Sequence, residues 1–172
     1  MPTNGEITLL ATRAVDAVLN YKNLPVTVAL GNDFGYGTED FYIESEGKDP
    51  IYYIVEADNS YKSFADKYGS IFTGKAYEEF TDGRFSDANG QLRAEYSETE
   101  AVDYSLDGVS AEFVKKTDGG YIYMISYTVT YGIDYDSESR LYKGTATETK
   151  KAEVTAEKTE DGLKISEAAN LF

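Results

Sequence analysis

The sequence predicts an α+β domain in which amino-terminal helices pack on a curved antiparallel β-sheet. Three observations support this prediction. Apolar residues recur at helical spacing near the start, apolar and polar residues alternate over the last third of the chain, and short turn sequences separate the alternating segments. Because helices come first and closely connected strands follow, the sheet should be a meander. The 172 residues fit one domain, 1–172, with a helical part at about 4–82 and the meander at about 84–172.

The first helix is predicted from about Asn4 to Tyr21. Thr3 or Asn4 can cap it, and Glu6 lies near the positive end of the helix dipole. Leu24-Pro25 is expected to end it, because the residue before a proline avoids helical geometry. Its apolar stripe comprises Ile7, Leu10, Ala11, Ala14, Val15 and Val18.

Two shorter helices are predicted after an extended region. That region contains a glycine-rich turn (Gly31, Gly35 and Gly37) and a short strand from Ile51 to Val55. The second helix should run from Ser60 to about Ile71. The third should run from Thr73 to Gly83, where glycine favours a helix end.

The rest of the chain reads as strands joined by tight turns. Asn89-Gly90 is a strong two-residue hairpin sequence. Thr117-Asp118-Gly119-Gly120 and Glu160-Asp161-Gly162 mark further turns. The predicted strands that these turns separate are Val109 to Lys115, Tyr121 to Ile133, Leu141 to Lys158 and Leu163 to Ser166.

Histidine and cysteine are both absent from the chain. Without them there is no Ser-His or Cys-His pair, no thiolate nucleophile, and no imidazole or thiolate ligand for zinc. Carboxylate, lysine and tyrosine chemistry remain open, so an enzyme is disfavoured rather than excluded. The sequence therefore predicts a non-enzymatic protein with no cofactor and no metal site.

The formal net charge is −15, which disfavours nucleic acid and anionic membranes as partners. The acids are distributed unevenly. Between Arg93 and Lys115 lie six acidic residues and no basic one, among them Glu98, Glu100 and Asp103. These three predict a negative face that attracts a partner with a basic cleft. The alternative is a solvated surface that keeps the protein soluble.

Four tyrosines, Tyr121, Tyr123, Tyr127 and Tyr131, fall on one face of the longest predicted strand. Tyrosine can bury its ring while its hydroxyl keeps a polar contact. This face either packs against the helices as core or lines a pocket. In the pocket interpretation, Tyr127 and Tyr131 contact a small ligand or a peptide.

Asp134, Asp136 and Glu138 place oxygen atoms at alternate positions, as a calcium-binding loop does. The segment lacks the glycine and the distal glutamate of an EF-hand. A polar hairpin loop is the simpler interpretation.

The order of these elements resembles the cystatin-like, nuclear transport factor 2-like superfold, a cone of helices on a curved sheet. The ending Asp161-Gly162-Leu163-Lys164-Ile165 is similar to the "DGWKI" ending of that superfamily, with Leu163 where Trp is usual.

Three further segments resemble secreted Firmicute proteins related to inhibitors of cell-wall DL-endopeptidases. They are Tyr61-Lys62-Ser63-Phe64, Ile71-Phe72-Thr73, and Phe85 with Asn89-Gly90-Gln91-Leu92. The resemblance spans roughly residues 60–172.

This resemblance implies a non-catalytic extracellular protein of a Gram-positive cell envelope that inhibits a peptidoglycan endopeptidase. The partner would then be a cell-wall hydrolase. Two alternatives remain open: a small-ligand-binding cone or carboxylate-and-tyrosine isomerase, and an accessory structural domain. No apolar run approaches the ~20 residues of a membrane span. The start, Met-Pro-Thr-Asn-Gly, does not look like a leader. Either the protein is cytoplasmic, or it is extracellular or at the cell envelope and a leader has been removed.

Overall fold

A computed structural model describes residues 1–30, 41–43, 52–55, 61–82, 85–95 and 104–172. These ranges contain three helices and eight strands. Two of the strands lie between the first and the second helix. The elements are α1 (Asn4–Leu30), β1 (Phe41–Ile43), β2 (Tyr52–Val55), α2 (Tyr61–Gly69), α3 (Gly74–Thr81), β3 (Phe85–Ala88), β4 (Gln91–Glu95), β5 (Tyr104–Thr117), β6 (Gly120–Asp136), β7 (Leu141–Thr159) and β8 (Gly162–Ala169).

Helix α1 begins with a reciprocal capping arrangement between Thr3 and Glu6. The backbone N–H of Glu6 donates to Thr3 Oγ1 at 3.2 Å, and the backbone N–H of Thr3 donates to Glu6 Oε2 at 2.7 Å. These bonds satisfy N–H groups that have no partner within the helix. The bond from the Thr3 backbone N–H, helped by the Thr3 hydroxyl, lowers the pKa of Glu6. The predicted stripe of α1, from Ile7 to Val18, is buried.

The expectation that Leu24-Pro25 ends this helix is wrong, because α1 continues to Leu30. Proline fixes φ near the helical value, and what it removes is one backbone N–H donor. A helix can therefore continue through proline at an energetic cost. The glycine-rich turn at Gly31, Gly35 and Gly37 lies outside the described residues.

The carboxy-terminal strands form the predicted antiparallel meander, in the order β5-β6-β7-β8. Strand β6 pairs with β7 from Tyr121 opposite Ala156 to Asp136 opposite Leu141. Register shifts interrupt β5 twice and the β7–β8 pair once. Shifts of this kind bend a strand and increase its twist, so they curve the sheet.

Helix α1 crosses this sheet, since it contacts both of the outer strands, β5 and β8. The side of β6 that carries Tyr123, Ile125, Tyr127 and Val129 is buried, with every one of these residues at most 6% exposed. The residues between them are half-buried. The period-2 pattern of the sequence thus identified the face of β6 that joins the core.

The hairpin at Asn89-Gly90 forms as predicted, with both residues at positive φ. It does not continue into the meander, however. Strand β4 pairs with β2, and the four short strands make a second sheet in the order β1-β2-β4-β3. The strands expected as one meander over about 84–172 are therefore divided between two sheets. The pairing of β2 with β4 joins segments that are distant in sequence. The alternation of apolar and polar residues within one strand does not predict such a pairing.

The connection between α2 and α3 is fixed to β8 by two backbone hydrogen bonds. The N–H of Ile165 donates to the carbonyl of Ile71, and the N–H of Thr73 donates to the carbonyl of Ile165, each at 2.8 Å. Phe72 thereby lies alongside β8 as a parallel bridge. Its ring stacks on Phe80 with centroids 4.8 Å apart. The short helices are in this way attached to the large sheet.

Among the described residues, no helix has the length and apolar character that a membrane span requires.

Candidate functional site

The acidic residues predicted to form a binding face, Glu98, Glu100 and Asp103, lie outside the described residues. The interpretation of these acids as a binding face stays a prediction.

The two tyrosines predicted to line a pocket have different environments. Tyr127 is 6% exposed and belongs to the hydrophobic core. Tyr131, four residues along the same strand, is half-buried. It lies opposite Tyr104 of β5, with ring centroids 6.5 Å apart. Of the two interpretations of the stripe, core is correct for Tyr123 and Tyr127, whereas Tyr131 lies where the stripe reaches the surface.

Strand register brings Tyr104, Tyr127 and Tyr131 to the same side of the sheet as Glu148. Tyr104 and Ala146 both face Tyr131, while Glu148 faces Val129 one row away. Burial raises the pKa of Tyr127, and the nearby Glu148 carboxylate adds to the effect. Burial also raises the pKa of Tyr104, with contributions from Tyr131 and Glu148. We call Tyr104, Tyr127, Tyr131 and Glu148 the tyrosine cluster.

The chemistry of the tyrosine cluster suits recognition. The phenol hydroxyls of the half-buried Tyr104 and Tyr131 can donate hydrogen bonds to a partner. Their rings offer rigid apolar area at low entropic cost. Lys150 lies 3.8 Å from the Glu148 carboxylate, so an ammonium and a carboxylate border the rings.

Beyond the tyrosine cluster, β6 and β7 continue together as a hairpin. The described part of β5 begins at Tyr104, opposite Tyr131 of β6, whereas the β6–β7 pair extends to Asp136 and Leu141. We call residues 132–144 the distal arm. Its apolar side chains are exposed: Ile133 by 37%, Tyr135 by 41% and Leu141 by 66%.

Two sets of contacts hold the shape of the distal arm. The rings of Tyr135 and Tyr142 pack with centroids 5.1 Å apart. At the turn, the backbone N–H of Arg140 donates to the Asp136 carbonyl at 2.7 Å, and the N–H of Glu138 donates to the Asp136 carboxylate at 3.0 Å. The arm therefore presents its exposed side chains from an ordered turn.

The segment considered as a calcium loop forms this hairpin turn. The Asp136 carboxylate accepts the turn hydrogen bond and lies 3.9 Å from Lys143 Nζ. Across the described ranges no three acidic side chains converge as ligands for a metal ion.

Sequence reasoning did not single out the distal arm. Ile133, Tyr135 and Leu141 were visible as apolar residues flanking a polar turn. Nothing in that local pattern shows how far the β6–β7 pair extends beyond the described part of β5.

A separate cavity of about 380 Å³ lies where α3 ends and β8 finishes. The helix terminates at Asp82 in the left-handed conformation. Two carboxylates, an amide and an aromatic ring line the cavity, from Glu79, Asp82, Asn170 and Phe172, together with Ala168. Its polar lining comes from exposed side chains, so it is a surface depression and not an enclosed ligand chamber.

No protein-family model matches this chain, and no curated protein matches it. Among solved structures, the chain is similar to the crystal structure of the intermembrane space region of chloroplast protein ARC6. The TM-score is 0.39 at 14% identity, and the match covers 63% of this chain and 78% of that chain.

Proposed function

We propose that this chain is a non-enzymatic binding protein that contacts a protein partner through the distal arm and the adjoining tyrosine cluster. One observation carries the proposal: three large apolar side chains, Ile133, Tyr135 and Leu141, are exposed on one hairpin, with Leu141 on the opposite face from Tyr135. Exposed apolar side chains grouped on one element are typical of sites where proteins bind one another. Tyrosine is also among the residues that contribute most to such interfaces.

The filled interior of the large sheet supports the same proposal. In a cone that binds a small ligand, the helix-facing side of the sheet would line a chamber. Here Tyr123, Ile125, Tyr127 and Val129 occupy that side as core. The tyrosines accessible for recognition are at the distal end of the sheet, beside the arm.

The more specific form of the proposal is an extracellular inhibitor of a peptidoglycan endopeptidase at a Gram-positive cell envelope. It is supported by the sequence resemblance and by the net charge of −15, which favours a partner with a basic cleft. Within the arm, the exposed Asp134 and Glu138 lie beside the apolar residues. Such a surface would place an apolar contact at the centre and acidic groups at its rim.

The test is inhibition of peptidoglycan hydrolysis by a purified DL-endopeptidase catalytic domain. The wild-type protein should inhibit hydrolysis, and Leu141→Ser should weaken inhibition at least about tenfold, as truncation of an interface anchor does. The matched control is Leu9→Ser on α1, because Leu9 is 63% exposed and Leu141 is 66% exposed. The control should inhibit like the wild type.

Two results would count against this function. If Leu9→Ser and Leu141→Ser weaken inhibition equally, the arm is not the contact surface. If the wild-type protein neither binds nor inhibits the endopeptidase, the inhibitor proposal is wrong.

A further inference from the structure

One edge of β7 has no neighbouring strand among the described residues. Strand β8 pairs with β7 from Thr159 to Glu153, where its partner is Ala169. The chain then turns at Asn170, which has a φ of 64°, and Leu171 is buried. From Leu141 to Ala152, β7 therefore pairs with β6 on one side and with no described strand on the other.

The side chains of this segment are accessible on both faces of the sheet. Every residue from Thr147 to Lys151 is exposed, including those on the side where α1 packs. An edge strand of this length presents a row of backbone N–H and C=O groups that can pair with another strand. Its threonines at 145, 147 and 149 also favour extended structure.

We propose that this edge pairs antiparallel with the same edge of a second copy, about a two-fold axis at Ala146, to form a homodimer. A two-fold axis perpendicular to the sheet keeps each face of the sheet continuous across the junction. Residues that meet across it must then lie on the same face, so their numbers differ by an even amount. This restricts the pairing to a few registers.

The register centred on Ala146 places no like charges opposite each other. On the face away from α1, Thr145 meets Thr147 of the partner subunit. Lys143 likewise meets Thr149 of the partner subunit. On the α1 side, Gly144 meets Glu148 of the partner subunit. Tyr142 pairs with Lys150 of the partner subunit, and Leu141 pairs with Lys151 of the partner subunit. None of these pairs sets two lysines or two carboxylates against each other.

The neighbouring registers are less favourable. Centring the pair on Thr147 sets Lys143 against Lys151 of the partner subunit twice, and it places Leu141 opposite Glu153, which β8 already occupies. Centring it on Thr145 shortens the overlap. Ala146 therefore gives the longest pairing that avoids both charge repulsion and β8.

Two rows of side chains would continue across this junction. Within one copy, Thr130 and Thr147 share a hydrogen bond of 3.0 Å, and Thr128 and Thr149 share one of 3.2 Å. The new pairs extend this threonine ladder. On the other face, Tyr104, Tyr131 and Ala146 form one row, so the axis at Ala146 brings the tyrosine clusters of the two copies together.

A single cysteine tests this register directly, because the chain contains none. Residues paired across antiparallel strands have Cα atoms about 4.5–5.5 Å apart, within the range that a disulfide can bridge. Ala146→Cys should therefore form a disulfide-linked dimer under mild oxidation. In Thr149→Cys the two cysteines would be about 20 Å apart, so that variant should stay monomeric on a non-reducing gel.

A charge-swap series gives an independent measurement in solution. Thr145→Lys with Thr147→Lys should weaken the dimer at least about tenfold in sedimentation equilibrium, because two lysine pairs would oppose each other. Thr145→Glu with Thr147→Lys should restore it, because each glutamate would then face a lysine. Both positions are exposed, so both variants should fold.

The dimer is excluded if the wild-type protein sediments as a monomer at every concentration. The register is wrong if Thr149→Cys cross-links as fast as Ala146→Cys, or if the two charge variants dissociate equally. None of these measurements uses the endopeptidase, so they succeed or fail separately from the proposed function.

Discussion

The ring of Tyr142 lies against the backbone of Gly132, so closely that a Cβ on residue 132 would overlap the ring. This contact explains why glycine stands in the middle of a long strand, where it costs stability. Tyr142 also packs on Tyr135, so one ring connects the base of the distal arm with its exposed side chains.

Gly132→Ala should displace Tyr142 and distort the distal arm. We expect the free energy of unfolding to fall by about 1–3 kcal/mol, as overpacking does, and endopeptidase inhibition to weaken. Gly108→Ala is the control, because a Cβ there meets no atom within 4 Å. Urea denaturation measures the stability change. Equal losses in the two variants would show that the contact between Gly132 and Tyr142 is unimportant.

Tyr123→Phe should leave the protein as stable as the wild type or stabilise it by up to about 1 kcal/mol. Tyr123 is 2% exposed, and its hydroxyl has no hydrogen-bond partner among the described residues. Removing the hydroxyl relieves the cost of burying it and keeps the ring contact with Phe113. A shift of the urea midpoint reports the change. A loss greater than about 1 kcal/mol would reveal a partner for this hydroxyl.

Thr3→Ala should destabilise the protein by about 1 kcal/mol, because it removes the side-chain cap of α1. Thr3→Ser keeps the hydroxyl and serves as the control. Thermal unfolding compares the two, and equal melting temperatures for them would contradict the capping role of Thr3.

The same cap makes stability depend on pH. The pKa of Glu6 is lower in the folded state than its ordinary value of 4.5. Its ionised form is therefore favoured by folding, and its contribution is present above pH 4.5 and is lost as pH falls through the lowered folded pKa. Glu6→Gln should show a shallower loss of stability over that range. Parallel curves for wild type and variant would contradict this prediction.

Phe72→Ala should cost about 3–5 kcal/mol, the usual cost of removing a fully buried phenylalanine. Phe72 is 1% exposed and packs on both Phe80 and Phe172. It also lies on the segment that joins the short helices to β8. Phe113→Ala, at a position 41% exposed, should cost much less. Denaturant unfolding of the two variants measures the difference, and similar losses would show that Phe72 is not central to the core.

Ionisation of Tyr77 should lower the stability of the protein at alkaline pH. Burial, together with the neighbouring Tyr61, raises the pKa of Tyr77 from 10.0 to about 12. The neutral phenol is favoured by folding, so its contribution is present below pH 10 and is lost as pH rises toward about 12. Tyr77→Phe should remove this part of the alkaline loss. Urea midpoints compared across that interval test it, and identical pH profiles would show that Tyr77 makes no such contribution.

Local sequence patterns were sufficient to predict most of the secondary structure. The stripe from Ile7 to Val18 predicted the buried side of α1, and the alternation from Tyr121 to Ile133 predicted the inward face of β6. Asn89-Gly90 predicted a turn that needs positive φ. These features follow from the spacing of side chains along one element and from backbone preferences, which neighbouring residues alone decide.

The candidate site was less accessible to sequence reasoning. Tyr127 and Tyr131 were singled out together, yet one is core and the other reaches the surface. The difference arises because other elements cover the sheet at Tyr127 and leave it partly open at Tyr131. Glu148 was not selected, since its proximity to the tyrosines depends on the register of β7 against β6.

The amino-acid sequence by itself determined that the chain is an acidic α+β protein without imidazole or thiol chemistry, and which face of each long element is apolar. Only the tertiary structure decided that the described strands divide into two sheets, that β6 and β7 extend beyond the described part of β5, and that β8 leaves one edge of β7 without a described neighbour. Strand pairing joins distant segments through backbone groups that every residue carries. The extent of strand pairing therefore depends on which segments of the chain meet in the fold, and no local sequence pattern specifies it.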